Sequence, residues 1–119
     1  MAITSFTIEL PKPPALNHLY GLRRGGGMYL KPAGVAWKEE CVLRIRCMGH
    51  PHLKGKVSLL VHLHTSKHQD NDSILKILQD SLQASEIIDD DYQIFDLRVI
   101  KVKCKVDEQQ VIITLKELC

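Results

Sequence analysis

At 119 residues, with 45% apolar and 25% charged side chains, the chain is long enough for one domain with a real core and too short for two. No apolar run approaches the roughly 18 residues that span a bilayer, and the opening MAITSFTIELPKPP has no basic segment leading into an apolar stretch, so neither a membrane span nor a secretory leader is expected and the setting is read as cytoplasmic. The net charge of +2 goes with a pI near 8.4, below the values above about 9 usual for dedicated DNA-binding domains, and this balance neither supports nor excludes a nucleic-acid partner.

The first element is SFTIEL, where Phe6, Ile8 and Leu10 alternate with Thr7 and Glu9 as on a half-buried strand. PKPP ends it. From Pro11 to about Lys31 the chain carries prolines, Asn17 and the triplet Gly25, Gly26, Gly27, which reads as one long loop with a basic tip at Arg23 and Arg24. PAGVAWKEECVLRIRCMG then has helical spacing, with Ala33, Trp37, Cys41, Ile45 and Met48 as the apolar stripe. Pro32 suits its first turn, Arg44 and Arg46 its last, and Gly49 its stop.

KVSLLVHLH is a second strand, with Val57, Leu59, Val61 and Leu63 on one face and Leu60, His62 and His64 on the other. SILKILQDSLQAS is helical through Ile74, Leu78 and Leu82. IFDLRVIKVKCKV alternates as a third strand, DEQQ turns, and VIITLKEL returns as a fourth. The order β-α-β-α-β-β specifies a single α+β domain, residues 1–119, on a small mixed sheet. The four cysteines, Cys41, Cys47, Cys104 and Cys119, show no C-x-x-C spacing and are read as reduced thiols, two of them core residues.

Two acidic stretches carry the chemistry. QDNDSILK puts Asp70 and Asp72 one residue apart with Lys76 one helical turn further on, and EIIDDDYQ brings Asp89, Asp90 and Asp91. The plain reading makes Asp72 or Ser73 a helix cap and the aspartate triplet a solvated turn. The other has both groups meeting at one end of the sheet, where converging carboxylates repel unless a cation lies between them, and hard oxygen ligands select Mg²⁺ or Mn²⁺. An EF-hand fails, since Leu75 and Ser81 stand where that loop needs Gly and Glu. Beside such a cation, Lys76 could hold a scissile phosphate. His50, His52, His62, His64 and His68 could be drawn into a zinc site, but solvated surface histidines are the simpler account.

From about Ile3 to Glu117 the chain resembles the RusA family of Holliday-junction resolvases. LPKPPALNHLY, YLKPAGVAW, DNDSILKILQDSL and DDYQIFDLRVIK carry the resemblance, the middle pieces most specifically, because the pattern D-x-D-N-x-x-K…D-x-L…D-D-x-x-(I/V) occurs in order. The resemblance implies a homodimer that binds four-way branched DNA and nicks two strands symmetrically with Mg²⁺, Mn²⁺ being able to substitute. Carried over by position, Asp70, Asp72 and Asp91 are the expected catalytic carboxylates and metal ligands, with Asp90 beside them, and Lys76 the essential lysine. Asn17 matches a recurrent loop position facing the site or the DNA. Lys12, Arg23, Arg24, Lys67, Lys101 and Lys103 are the candidates for phosphate contacts. Two residues depart from the pattern: Ser73 replaces the usual Asn, and Glu86 stands where Gly commonly ends the helix, which predicts a different turn before Ile87. A module that binds branched DNA without cutting it is the alternative.

Overall fold

The computed structural model describes residues 5–14, 20–66 and 71–118, with the backbone alone at 71–73. Strand β1 (Ser5–Pro11) is followed by two short strands, β2 (Tyr20–Leu22) and β3 (Met28–Leu30), and by helix α1 (Pro32–Cys47). Then come β4 (Val57–Thr65), helix α2 (Asn71–Ala84), a 3₁₀ turn (Asp91–Gln93), β5 (Ile94–Lys103), a second 3₁₀ turn (Val106–Glu108) and β6 (Gln110–Glu117). The main sheet has the order β1-β6-β4-β5; β1/β6 and β6/β4 are antiparallel, while β4/β5 is parallel, so the sheet is mixed and the domain α+β.

Alternation on β1, β4 and β6 puts one apolar row of each strand inward, and all of Ile8, Leu10, Val57, Leu59, Val61, Leu63, Val111, Ile113 and Leu115 are buried. The helices cover that face. From α2 come Ile74, Ile77, Leu78 and Leu82, at the i, i+3, i+4, i+8 spacing of one helical stripe. From α1 come Trp37, Cys41 and Ile45, together with Gly34. Ala33 and Met48, expected in that stripe, are exposed: the buried stripe starts one residue later, and Met48 is already the C-cap, beyond the last helical turn. Trp37 also anchors β1, its indole N–H donating to the Pro11 carbonyl at 3.1 Å. Arg46 crosses from the end of α1 to the end of α2, donating to the Ala84 carbonyl at 2.9 Å, where a helix leaves its last carbonyls unpaired.

The long loop expected from Pro11 to Lys31 contains a hairpin. Tyr20 pairs with Leu30 and Leu22 with Met28, and the glycine triplet closes the turn with φ of +91°, +111° and +85°. Gly21 is needed for a different reason: a Cβ there would come within 2.6 Å of the Tyr29 ring packed across the hairpin. The third strand ends at Lys103 rather than Val106, because Val106–Glu108 coil into a 3₁₀ turn.

Helix α2 begins at Asn71, so Asp72 and Ser73 lie inside its first turn and neither is its cap. Its C-terminus corrects a second expectation. The amide of Ile87 donates to the Leu82 carbonyl and that of Glu86 to the Gln83 carbonyl, the paired bonds of a Schellman stop, and Glu86 has φ +67°. The turn is therefore the one glycine would make, built on a glutamate. A left-handed residue with a Cβ costs about 1–2 kcal/mol, and glycine's greater freedom in the unfolded chain takes back part of any gain. Glu86→Gly is expected to raise stability by up to ~1 kcal/mol, read as a higher urea midpoint with an unchanged slope.

Candidate active site

Helix α2 lays out the acid–lysine pattern along its axis: positions 72, 76 and 80 come at i, i+4 and i+8, one above the next. Lys76 is exposed, and its ammonium sits over the face of the Tyr20 ring, 5.4 Å from the centroid. The Tyr20 hydroxyl is buried and has no hydrogen-bond partner among the described residues. Burial raises the pKa of this phenol, and the Asp80 carboxylate raises it further. Asp80 belongs to the D-x-L piece of the sequence pattern, yet its role was not read from the sequence; its place one turn past Lys76 was the available signal.

The second acidic group is built around Gln93, a buried amide only 3% exposed. Its carbonyl oxygen accepts from the amides of Asp89 (2.7 Å) and Asp90 (3.1 Å), and its side-chain nitrogen donates to the Leu53 and Gly55 carbonyls, both at 2.9 Å. Four backbone groups are thereby satisfied by one side chain, which ties the acidic turn to the segment leading into β4. Asp90 caps the 3₁₀ turn, its carboxylate accepting from the Tyr92 amide at 3.1 Å. That bond, and a further one with the Asp91 carboxyl, hold the Asp90 pKa below the usual range. Asp91 is pushed the other way, chiefly by the same hydrogen bond to Asp90, with smaller contributions from burial and from the charges of Asp90 and Asp80. Asp89 is engaged elsewhere, 2.7 Å from His52 Nε2.

Because β4 and β5 run parallel, with Val57 opposite Ile94 and Thr65 opposite Lys103, Asp91 precedes the starting end of that pair while Asp70 and Asp72 come after its finishing end in the chain. The link between them is α2, along which Asp80 lies within electrostatic reach of Asp91. Asp70, Asn17, Lys67 and His68 lie outside the described residues, as does the side chain of Asp72. Among the described residues no three His, Cys, Asp or Glu side chains form a group that could hold a metal. The histidines separate: His50 packs edge-on to Phe6 and His52 pairs with Asp89.

The described basic candidates are exposed and fall into two sets. Lys101 and Lys103 stand opposite Leu63 and Thr65 at the finishing end of β4, the end from which the chain leaves toward Asp70. Pro11 pairs with Gln110, itself opposite His64, so Lys12 belongs to the same end of the sheet. Arg23 and Arg24 occupy the hairpin tip.

The described residues thus form a small α+β domain with Lys76 and Asp80 on one helix, an acidic 3₁₀ turn and a basic sheet end. No protein-family model matches the chain. It is, however, 30% identical over 102 residues to the crossover junction endodeoxyribonuclease rusA of Enterobacteria phage HK97, covering 83% of this chain and 84% of that one. The chain belongs to the RusA family.

Gln93→Ala would strip partners from two amides and two carbonyls. A buried polar group left unpaired costs about 1–3 kcal/mol, so a loss of at least ~2 kcal/mol in urea unfolding is expected. For the carboxyl pair, the raised Asp91 pKa adds stability below the ordinary carboxylate value that fades as pH rises through the raised one, and Asp90 contributes in the opposite sense. Replacing Asp90 by Asn removes the charged partner, and the Asp91 carboxyl ¹³C signal should then titrate at lower pH than in the native protein.

Proposed function

We propose that the protein is a metal-dependent endonuclease that resolves four-way DNA junctions by paired nicks. The observation that carries this reading is the match to the phage junction endonuclease over 83% of the chain. A span of that length cannot miss the interior segment from Asp70 to Asp91, where the acid–lysine pattern stands in order. Asp70, Asp72 and Asp91, with Asp90 adjacent, would hold Mg²⁺ or Mn²⁺, since all are hard oxygen donors. When bound, the ion supplies Lewis-acid polarisation of the phosphodiester and a lowered pKa for water.

The remaining tasks fall to the chain. Lys76, exposed on α2, meets a non-bridging phosphate oxygen and offsets the charge that builds there as the bond breaks. Lys12, Lys101 and Lys103 grip backbone phosphates at the same sheet end, joined by Arg23 and Arg24 on the hairpin, with Lys67 and Asn17 on the neighbouring segments; such contacts make binding strongly dependent on salt. Paired nicking needs two copies. β5 is the sheet edge, with Phe95 and Leu97 exposed, and antiparallel pairing of two copies about Leu97 sets Asp96 of each opposite Arg98 of the other. Its substrate puts the enzyme in the cytoplasm of a bacterial or phage-infected cell, and no described helix is long and apolar enough to cross a membrane.

The test is cleavage of a labelled four-way junction and of linear duplex of the same sequences, with Mg²⁺, Mn²⁺ or EDTA, by the native protein and by Asp72→Asn. Paired nicks confined to the junction and to the metal-containing reactions are expected, and the variant should bind but not cut. Junction binding with no cleavage under any condition would instead mean a non-catalytic branched-DNA module.

A further inference from the structure

Tyr20 is the residue whose surroundings ask for something more. It opens β2, is paired to Leu30 across the hairpin, and packs with Leu30 against the main core. The hairpin is stiffened at the next position, where the Tyr29 ring lies where a Gly21 Cβ would be. The Tyr20 ring is thus held by backbone pairing on one side and core contact on the other. Its face is turned to α2, with the Lys76 ammonium 5.4 Å from its centroid, inside the range in which a cation is drawn to the negative face of an aromatic ring.

The hydroxyl is the second observation. Phenolic oxygens that are buried normally have a partner, and one without it costs free energy that a phenylalanine would not. This oxygen is buried and meets none among the described residues. The neighbouring acid, Asp80, favours keeping the phenol neutral and therefore a donor. A donor beside a lysine, with no acceptor in reach among the described residues, is matched to an anionic oxygen that arrives from outside. Lys76, long and exposed, lies over the ring and is the part of its surroundings most able to move when one does.

We propose that Tyr20 belongs to the nuclease site: its ring positions Lys76, and its hydroxyl is a hydrogen-bond donor kept for the phosphodiester oxygen that Lys76 meets. This rests on the reading of Lys76 as the phosphate-contacting lysine of a junction nuclease. It adds a residue from the hairpin, an element remote in sequence from the acid–lysine pattern. The hairpin that carries Arg23 and Arg24 at its tip then carries a site residue at its base.

Tyr20→Phe and Tyr20→Leu test the two parts separately. The Lys76 ε-methylene proton signals of the DNA-free protein should show an upfield ring-current shift in the native protein and in Tyr20→Phe, lost in Tyr20→Leu. Single-turnover cleavage of the four-way junction in Mg²⁺ should fall about tenfold in Tyr20→Phe, the effect of one hydrogen bond to a charged group. In Tyr20→Leu it should fall roughly a hundredfold, as for a misplaced reacting group. Junction Kd in EDTA should stay within about twofold in both, and Tyr20→Phe should melt no lower than the native protein, since it loses an unpaired polar atom. Native-rate cleavage by Tyr20→Phe would overturn the hydroxyl's role. An unshifted Lys76 signal in the native protein, or native-rate cleavage by Tyr20→Leu, would overturn the positioning role. If the native protein cuts no junction at all, the nuclease reading fails instead, and the ring-current measurement still decides whether Tyr20 seats the lysine.

Discussion

Two parallel strands cannot be joined by a tight turn; the chain must cross from the end of one back to the start of the next, and that crossing organises this molecule. Between Thr65 and Ile94 it is made by α2, whose stripe of Ile74, Ile77, Leu78 and Leu82 seals the core over β4. The finishing end of β4 and the starting end of β5 are opposite ends of the sheet, and the outward side of the crossing helix runs between them. Lys76 and Asp80 stand on that side because the apolar stripe has claimed the opposite one.

Around this crossing, polar order is concentrated where the backbone is irregular. The segment from Ser85 to Gln93 has no ladder to pair with, and its groups are satisfied by a Schellman stop, a single bridge between Leu53 and Ile88, and the Gln93 amide. The amide fixes the path of the backbone at Asp89 and Asp90 while leaving their carboxyls outward. Rigid support below sets like charges close together above, and their pKa values part: that of Asp90 is lowered, first by the Tyr92 amide, and that of Asp91 raised, first by its hydrogen bond with Asp90.

The regular elements were legible because each has a period. Phe6-Ile8-Leu10 and Val57-Leu59-Val61-Leu63 alternate by two, and Trp37-Cys41-Ile45 and Ile74-Leu78-Leu82 by four, and all are buried as read. What was not legible lacked a period. The β2–β3 hairpin has three residues a strand, too few to alternate, and its glycines read equally well as slack loop. Gln93 looks like any surface glutamine, since nothing in a sequence marks an amide as a substitute for four missing backbone partners. Glu86 in a left-handed turn was hidden for the opposite reason: the rule favouring glycine there is statistical, and the two Schellman bonds hold the turn without it. For the site, the residue types and their order could be read, but the direction of β5 relative to β4 could not, and it is that direction which puts Asp91 beside Asp80.

The two thiols of α1 divide by their access to water, and the division gives the fold an internal clock. Cys41 is fully buried on α1, and burial pushes its pKa up to about 12, so both the reactive anion and the approach of a reagent are suppressed while the helix is seated. Cys47, six residues on, is exposed on the same helix. A thiol reagent will therefore mark Cys47 at once and Cys41 only when α1 lifts from the sheet, so the lag between the two labels times the opening of one helix in the otherwise native protein.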